Sequence, residues 1–428
     1  MKRGNAYLAF MALGAVLAAQ GHFAHAQTLQ VGTENTILTL AQRQALGFFY
    51  GPSDGSLGAR WVPKTNLYEF FVSGAVGTSS QSVQGTFRLA GDLSDFNALI
   101  STTPSLTEGG DPNGSIFDRD YAGGGTYFPI EQIEIEGPKK GILLIYHGEY
   151  HPGPDCNNVP WFYAGLGLAL STDEGKTFQP LGQIVQPTMN ITQWQNLPTC
   201  RNVGIGYGTL VLGDDKGGPL DPAKARSNEG YLYVFYEEMD PPSQQYPNGL
   251  AHSAVARAKR ADVITAAFSG NTQAFPTLFQ KYDNGTYTPA TGNDPTLQTS
   301  AGASSALQPP TATQMSVLYD RTIHQFLMAY VLFPNISSAT LWLQISPNLF
   351  QWPGTCPTGQ SCSWTAEVPL DSSSSLLGYP SLIGEGHDPL IGQGAPVLFY
   401  TSAYQWFPDW ASANTLYVSR QIQIIPDP

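Results

Sequence analysis

The chain has 428 residues, a formal net charge of −13 at pH 7 and only 12% charged residues, beside 45 glycines and 33 prolines. Nucleic acid and anionic lipid both require a basic surface, so this acidity argues against either as a partner. Few charges and many turn residues favour short strands joined by loops over long surface helices.

The first 26 residues have the features of a secretory signal peptide. Lys2 and Arg3 give a positive start, residues 8–19 are a short apolar run, and Ala24-His25-Ala26 fits a cleavage site. The apolar run is shorter than the roughly 20 residues of a membrane-spanning helix, and no later run is long enough. We expect a secreted protein, extracellular or periplasmic, in which residues 27–428 form one domain. A retained N-terminal anchor is the alternative.

Helical periodicity is nearly absent after this leader. A helix is predicted at Thr39–Phe48, and a further helical turn at Ala261–Ala267. Most other apolar runs are four to eight residues long, rich in Tyr, Phe, Val and Leu, and bounded by Gly, Pro, Asn or Asp. Such runs are typical of strands.

Five of these runs align on an aromatic residue, and each is followed by a loop and a second strand. The runs are NLYEFFVSG (66–74), GILLIYHGE (141–149), YLYVFYEEM (231–239), QFLMAYVLF (325–333) and PVLFYTSAY (396–404), with Phe71, Tyr146, Tyr236, Tyr330 and Tyr400 aligned. Recurrence of a short-strand pattern predicts an all-β fold of the β-propeller type, with five blades of four antiparallel strands. Six blades is the alternative, if residues 91–125 or 265–310 hold one more. Residues 30–38 are expected to pair with the last blade and close the ring.

The turn Ser171-x-Asp-x-Gly-x-Thr-Phe178 resembles the Asp-box of sialidase-like propellers, a hairpin between third and fourth strands. Asp173 is expected to accept backbone hydrogen bonds, and Gly175 to adopt a positive φ. The terminal aromatic should pack between sheets. Because this hairpin lies on the face opposite the usual site, we expect Asp173 to be structural.

Four cysteines follow the leader, and an oxidising compartment makes two disulfides the expected state. Cys356–Cys362 would close a small Pro/Gly loop, which leaves Cys156–Cys200. A zinc site is the rival interpretation, although no metal-binding spacing of cysteines supports it.

Propeller geometry gathers function at the mouth of the central channel, where innermost strands begin and second strands end. Two sets of residues lie there. The candidates just ahead of innermost strands are Asp54, Asp118, Arg119, Asp120, Arg201, Asn202, Ser304, Ser305 and Tyr379. The candidates at second-strand ends and their loops are His147, Glu149, His151, Glu237, Glu238, Tyr404, Trp406 and Trp410.

Carboxylates from several blades beside aromatic rings suit glycoside hydrolysis, which needs one carboxylic acid and one carboxylate base or nucleophile. Asp118 or Asp120 is the candidate base or nucleophile, and Glu149 or Glu237 the candidate acid. Tyr404, Trp406 and Trp410 would stack against sugar rings, with Arg119, His147, His151 and Arg201 as further substrate contacts.

Structural interpretations of the same residues stay open. Asp118-Arg119-Asp120 can be a local ion pair, His147 a buried histidine bonded to a neighbouring blade, Glu237-Glu238 a solvated strand end, and residues 404–410 loop core. No cofactor is expected. His147, Glu149, His151 and Asp155 lie within nine residues and offer a cation such as calcium a candidate site, but their spacing matches no known motif.

At these residues the chain resembles the five-bladed β-propeller glycoside hydrolases of the arabinanase and β-xylosidase type. The resemblance rests on strand pairs such as YLYVFYEE…LAHSAVARA and PVLFYTSA…NTLYVSR, and covers most of residues 50–424. It implies three carboxylates from the first three blades, acting as base, pKa modulator and acid, with Asp54 and Asp118 in the first two places. Where the family has a glutamate, blade three begins with Arg201-Asn202, so Glu237 or Glu149 would supply the acid.

The sequence therefore predicts a secreted carbohydrate-active protein, a monomer that acts on an oligo- or polysaccharide. A non-catalytic propeller that binds carbohydrate or protein at the same mouth is the alternative, and a structural cell-surface protein is the third class. Separations of about 5 Å or of roughly 6.5–9.5 Å between two carboxyl groups would indicate a retaining or an inverting hydrolase.

Overall fold

A computed structural model of the chain provides the structure. It describes residues 28–51, 55–78, 81–107, 127–134, 137–151, 161–198, 202–206, 208–226, 228–239, 251–292, 297–307, 312–335, 338–352, 365–368, 377–402 and 416–425. The predicted leader and the four cysteines lie outside these ranges.

The first part of the chain forms two short strands, a helix and one antiparallel sheet. In order these elements are β1 Thr28–Val31, β2 Asn35–Leu38, α1 Leu40–Ala45, β3 Phe48–Tyr50, β4 Gly58–Val62, β5 Leu67–Thr78, β6 Gln81–Gly91, β7 Phe96–Leu99 and β8 Leu106–Thr107. Strands β4, β5, β6 and β7 pair in sequence and are called unit one.

The middle of the chain repeats this arrangement twice. Its elements are β9 Tyr127–Glu134, β10 Gly137–Tyr150, β11 Tyr163–Ser171, β12 Gln179–Val185, α2 Ile191–Gln195, β13 Val203–Ile205, β14 Thr209–Gly213, β15 Tyr231–Met239, β16 Ala251–Lys259, α3 Arg260–Ser269, a 3₁₀ turn Thr272–Ala274, α4 Phe275–Leu278, β17 Gln280–Asp283 and β18 Thr286–Pro289. Unit two is β9 to β12, and unit three is β14 to β17.

Two further units complete the described part of the chain. Their strands are β19 Ala312–Asp320, β20 Gln325–Asn335, β21 Ser338–Ser346, β22 Thr365–Glu367, β23 Leu377–Ile383, β24 Ile391–Gly392, β25 Val397–Ser402 and β26 Leu416–Ile425. Unit four is β19 to β22. Unit five is β23, β25 and β26 together with β1, which returns from the N-terminal part of the chain.

The structure confirms the all-β, β-propeller prediction. Each predicted strand pair forms an antiparallel ladder, namely β5–β6, β10–β11, β15–β16, β20–β21 and β25–β26. The aligned aromatics are all fully buried: Phe71, Tyr146, Tyr236, Tyr330 and Tyr400. The described part of residues 265–310 contains helices and the β17–β18 hairpin of unit three, with no separate unit.

Neighbouring units pack face to face, because the central strands bury both of their faces. In β10, Ile142 and Leu144 share a cluster with Phe71 of unit one, whereas Leu143 and Ile145 pack with unit three. Such two-sided burial explains why the strands are apolar at successive positions rather than at alternate ones. The remaining clusters join unit three to four, four to five and five to one, so the units form a closed cycle.

The axis of this cycle is filled with side chains. Leu57, Leu210, Val317 and Leu382 are among the residues of innermost strands and their entries that line a cavity of about 20 Å³. That volume holds about one water molecule. This cavity is therefore too small for an organic ligand.

Helix α1 is shorter than the predicted Thr39–Phe48 segment. It begins correctly, because the Thr39 side chain accepts a hydrogen bond from the Gln42 N–H in a capping box. Gly47 then adopts φ +92°, and β3 begins at Phe48. The turn predicted at Ala261–Ala267 is the ten-residue helix α3. Among the described residues, no helix has both the length and the apolar character needed to cross a bilayer.

The Ser171–Phe178 hairpin has the predicted geometry. Asp173 accepts hydrogen bonds from the N–H and hydroxyl of Thr177 at 2.9 and 2.7 Å, and Gly175 has φ +82°. Phe178 packs edge-on against Phe71 with ring centroids 5.5 Å apart. Burial alone would raise the pKa of Asp173, but these hydrogen bonds lower it below its usual value, as a structural carboxylate requires.

Strands β1 and β2 both pair with β26, which closes the ring as predicted. A buried arginine reinforces this closure. Arg420 donates to the Tyr400 hydroxyl and the Gly32 carbonyl, each at 2.8 Å, and its guanidinium lies 3.3 Å from Glu34. The Tyr400 hydroxyl donates to the same Glu34 carboxylate at 2.8 Å. The N-terminal segment is thus held by charge as well as by strand pairing.

We expect Arg420→Met to lower the free energy of unfolding by about 2 kcal/mol, because charge-assisted hydrogen bonds to Gly32 and Glu34 are lost. Urea unfolding at pH 7 measures the change. Arg226→Met, which removes an exposed arginine, serves as the control and should change stability by less than about 0.5 kcal/mol. Equal stability of both variants would contradict a closing role for Arg420.

Candidate functional site

The mouth is the face at which β10 and β15 end and β11 and β16 begin. Strand β13 joins units two and three there, because it pairs in parallel with β11 and antiparallel with β15. Glu149 lies opposite Ala164, Ala164 beside Gly204, and Gly204 opposite Met239. With strands about 4.8 Å apart, three spacings place the backbones of Glu149 and Met239 at roughly 14 Å. Glu237 lies two residues before Met239 on the same strand. The two predicted acids, Glu149 and Glu237, therefore belong to one mouth but lie on strands that do not pair with each other.

Glu149 lies between two histidines. Its carboxylate is 3.7 Å from His147 Nδ1 and 3.3 Å from His151 Nε2, and all three side chains are largely buried. Strand alternation puts His147 and Glu149 on the same face, as predicted. Burial, and to a lesser extent the neighbouring His151, lowers the pKa of His147 to about 3. This imidazole is consequently neutral at pH 7.

The described residues contain no cluster of three His, Cys, Asp or Glu side chains arranged to hold a metal ion. His147, Glu149 and His151 therefore lack that arrangement. Asp155, the fourth member of the predicted cation site, lies outside the described residues.

Glu238 is buried and structural, so its interpretation as a solvated strand end is wrong. Both carboxylate oxygens accept from Lys281 Nζ, at 3.0 and 2.9 Å, and neither side chain is accessible beyond a few per cent. The Thr188 N–H and hydroxyl donate at 2.8 Å, and the Ser304 hydroxyl at 2.5 Å. Burial alone would raise the pKa of Glu238, but the Lys281 ammonium and these donors lower it.

Glu237 points the opposite way, towards unit four. Part of its side chain stays accessible, but its surroundings exclude most water. Burial therefore raises the pKa of Glu237 to about 7, although a hydrogen bond from the Gln314 N–H and the nearby His252 both act to lower it. Gly206 packs directly against it: a Cβ on Gly206 would lie 3.0 Å from Glu237 Cβ and 3.2 Å from Oε2. The Gly206 N–H also donates to the Glu237 carbonyl at 2.7 Å. A side chain at this position would force Glu237 to shift by a few tenths of an ångström.

Gln314 and Tyr379 hold strained backbone at the mouth. Their φ angles are +46° and +53°, where side chains other than Gly or Asn are uncommon. Both lie at register irregularities of the innermost strands β19 and β23. Gln314 Oε1 accepts from the Tyr379 N–H at 2.9 Å, while its own N–H reaches Glu237. Backbone strain that the surrounding structure holds in place is characteristic of functional sites. The two hydrogen bonds of Gln314 connect Glu237 to unit four and, through Tyr379, to unit five.

Sequence reasoning singled out Tyr379 but missed Gln314. A glutamine within an apolar strand carries no signal for a left-handed backbone, and its link to Glu237 spans 77 residues of chain. Ser304 was a mouth candidate, and the structure assigns its hydroxyl to the Glu238 network.

Glu149, Glu237, His147 and His151 are therefore placed at the mouth, with the two acids facing different units. Of the other mouth candidates, Asn202 accepts a hydrogen bond from the Phe162 N–H at 3.2 Å, and the Ser305 hydroxyl donates to Asp283 at 2.7 Å. Eight predicted site residues lie outside the described residues: Asp54, Asp118, Arg119, Asp120, Arg201, Tyr404, Trp406 and Trp410.

No model of a known protein family matches the chain, and no curated protein is detectably similar to it. Similar solved structures include an α-L-arabinofuranosidase from Fusarium graminearum in complex with an iminosugar inhibitor, 10% identical over 92% of this chain and 98% of that chain, with a TM-score of 0.41. An endo-arabinase from Bacteroides thetaiotaomicron is 11% identical over 92% and 98%, with a TM-score of 0.40. A Bombyx mori β-fructofuranosidase in complex with sucrose is 11% identical over 91% and 68%, with a TM-score of 0.42. At this level of similarity no residue role transfers.

Proposed function

We propose that the protein is a secreted, carbohydrate-active propeller of five blades that hydrolyses glycosidic bonds at its mouth. One observation carries the proposal: Glu237 lies at the mouth, partly accessible, with its pKa raised to about 7 by burial. A carboxyl group that keeps its proton near neutral pH can protonate the leaving oxygen of a glycoside. Glu237 is accordingly the proposed general acid, and Glu149 is the second candidate.

The proposed reaction needs a second carboxylate to act as base or nucleophile on the other side of the sugar. Asp118 and Asp54 are the candidates that the resemblance to arabinanase-type hydrolases implies, and Asp120 is a further candidate from the sequence. Glu149 faces unit three and Glu237 faces unit four, so we propose that a carboxylate from another loop completes the pair. The proposed substrate contacts are Arg119, His147, His151, Arg201, Tyr404, Trp406 and Trp410.

A non-catalytic carbohydrate-binding propeller is the second candidate. The divergent directions of Glu149 and Glu237 favour it, because binding needs no carboxylate pair. Polar groups around partly buried carboxylates also suit recognition of hydroxyl groups without cleavage.

The two functions are separated by a panel of aryl glycosides and plant or bacterial polysaccharides. We expect the wild-type protein to release reducing ends or aryl groups from at least one member, and Glu229→Gln, which changes an exposed carboxylate, to retain that activity. Calorimetry on the same panel detects binding alone. Binding without turnover on any member would replace hydrolysis by recognition, and neither binding nor turnover would contradict both.

A further inference from the structure

A second concave site lies on the face opposite the mouth. Its cavity measures about 620 Å³ and is bounded by the β9–β10 hairpin, the Ser171–Phe178 hairpin, residues 222–225 and the start of α3. Small-molecule sites usually have volumes of about 300–1,000 Å³. We call this cavity the far-face groove.

Three cationic side chains line the far-face groove, namely Arg60, Lys140 and Arg260. Two carboxylates, Glu131 and Glu174, also line it, so the lining carries a formal charge of +1 in a chain whose net charge is −13. Lys140 is exposed and lies directly opposite Glu131 on the neighbouring strand. Its side chain thus reaches the groove surface beside a carboxylate.

Arg60 is fixed in position by a buried carboxylate. Its Nε lies 2.5 Å from Glu69, and Arg88 lies 2.6 Å from the other oxygen of the same carboxylate. Two guanidinium groups thus share one negative charge, which leaves one positive charge in this trio. The Glu174 carboxylate is 3.9 Å from Arg60 but its side chain is 77% exposed, so it compensates that charge weakly.

Arg260 provides a buried cation at the back of the groove. It is 6% exposed, its Nη1 donates to the Arg226 carbonyl at 3.1 Å, and burial lowers its pKa although the Glu229 carboxylate acts to raise it. A desolvated guanidinium favours an anion beside it. Arg260 is also the first residue of the ten-residue helix α3, whose N-terminal end adds positive potential.

Carboxylates and neutral polar groups complete the lining. Glu131, Glu174 and Thr172 can accept hydrogen bonds from hydroxyl groups of a ligand. We propose that the far-face groove binds a small polyhydroxylated molecule with one anionic group, a carboxylate or a phosphate, held by Lys140 and Arg60 with Arg260 behind them. This site is separate from the mouth and does not depend on hydrolysis there.

Calorimetry at low ionic strength tests the proposal with three probes: glucuronate, glucose 6-phosphate and uncharged glucose. We expect the full-length protein to bind at least one of the anionic probes, and glucose at least tenfold more weakly. Lys140→Ala should weaken anion binding at least tenfold, because one charge-assisted contact is lost. Lys139→Ala is the matched control, since alternation turns that side chain to the other face of the same strand, and should change the affinity less than twofold.

The anionic probe that binds more tightly identifies the group that the groove selects. Arg260→Lys keeps the positive charge but loses the planar guanidinium group. If this variant binds the anionic probe more weakly than wild type and has an unchanged melting temperature, Arg260 contacts the anion. Absence of binding by both anionic probes, or equal binding by wild type and Lys140→Ala, would overturn the proposal.

Discussion

Glu237→Gln is expected to lower kcat/KM for any glycoside that the protein hydrolyses by about 10²–10⁴-fold, which is the usual contribution of a general acid. The substitution preserves shape and the acceptor for the Gln314 N–H, but it removes the proton that the leaving oxygen needs. Substrates with good leaving groups, such as aryl glycosides with acidic phenols, should lose the least activity. Steady-state kinetics across a series of phenols therefore measures the role of Glu237 directly.

The same substitution should change the pH dependence of stability. Burial raises the pKa of Glu237 from 4.5 to about 7 in the folded protein, so between those values the native state binds the proton that the unfolded state has released. Stability then falls as pH rises from about 4.5 to 7, since the unfolded state binds fewer protons. Glutamine carries no such penalty. At pH 8 the variant should be more stable than wild type, by up to about 3 kcal/mol, and at pH 4 the two should be equal.

The two measurements separate the physical environment of Glu237 from its chemistry. If Glu237→Gln is more stable than wild type at pH 8 but has an unchanged kcat/KM, Glu237 is a desolvated carboxyl group that takes no part in the proposed mechanism. No gain at pH 8 would contradict the raised pKa itself. Glu229→Gln, which neutralises an exposed carboxylate, is the control for a general effect of charge on this acidic chain.

Pattern and local chemistry were sufficient to predict the scaffold. The aligned aromatics predicted the strand pairs because each unit buries its central strand on both faces, and Tyr146, Tyr236, Tyr330 and Tyr400 are indeed fully buried. The Ser171–Phe178 hairpin was predictable for another reason: its hydrogen bonds join residues at most a few positions apart, so the local sequence contains the whole motif.

The candidate site depended on information that a strand pattern lacks. Glu237 and Glu238 are adjacent in sequence, yet they face units four and two, and their pKa values move in opposite directions. The contacts that distinguish them come from distant parts of the chain. Lys281, 43 residues away, binds Glu238, whereas the Gln314 N–H of unit four binds Glu237. Helix α2, with its capping box at Asn190 and Gln193, was also missed, because five residues are too few to show a helical period.

Lys281→Met is expected to be the most destabilising of the substitutions considered, costing about 3–5 kcal/mol at pH 7. Lys281 is fully buried and neutralises Glu238 at 2.9 and 3.0 Å. Without the ammonium, Glu238 retains the hydroxyl and N–H donors of Thr188 and Ser304, but these are too few to replace the lost counter-charge. Because Thr188 follows β12 of unit two and Glu238 belongs to unit three, the damage falls on the junction of two units.

The pH dependence and a second substitution identify the cause of this loss. In wild type, burial would raise the pKa of Glu238 but Lys281 lowers it, so the stability contributed by the pair is lost only as pH falls through that lowered value. In Lys281→Met the lowering charge is gone and burial raises the pKa of Glu238, so the carboxyl should take up a proton at higher pH than in wild type, and the difference between variant and wild type should shrink as pH falls. Adding Glu238→Gln removes the unpaired charge while keeping an acceptor for the Thr188 N–H, and should recover most of the loss at pH 7. Urea unfolding of both single variants and the double variant at pH 7 and pH 4.5 provides the comparison. Two results would contradict this role of Lys281: a loss of unfolding free energy below about 1 kcal/mol in Lys281→Met, or no recovery in the double variant. Water rather than Lys281 would then solvate Glu238, and the ion pair would not stabilise the junction of units two and three.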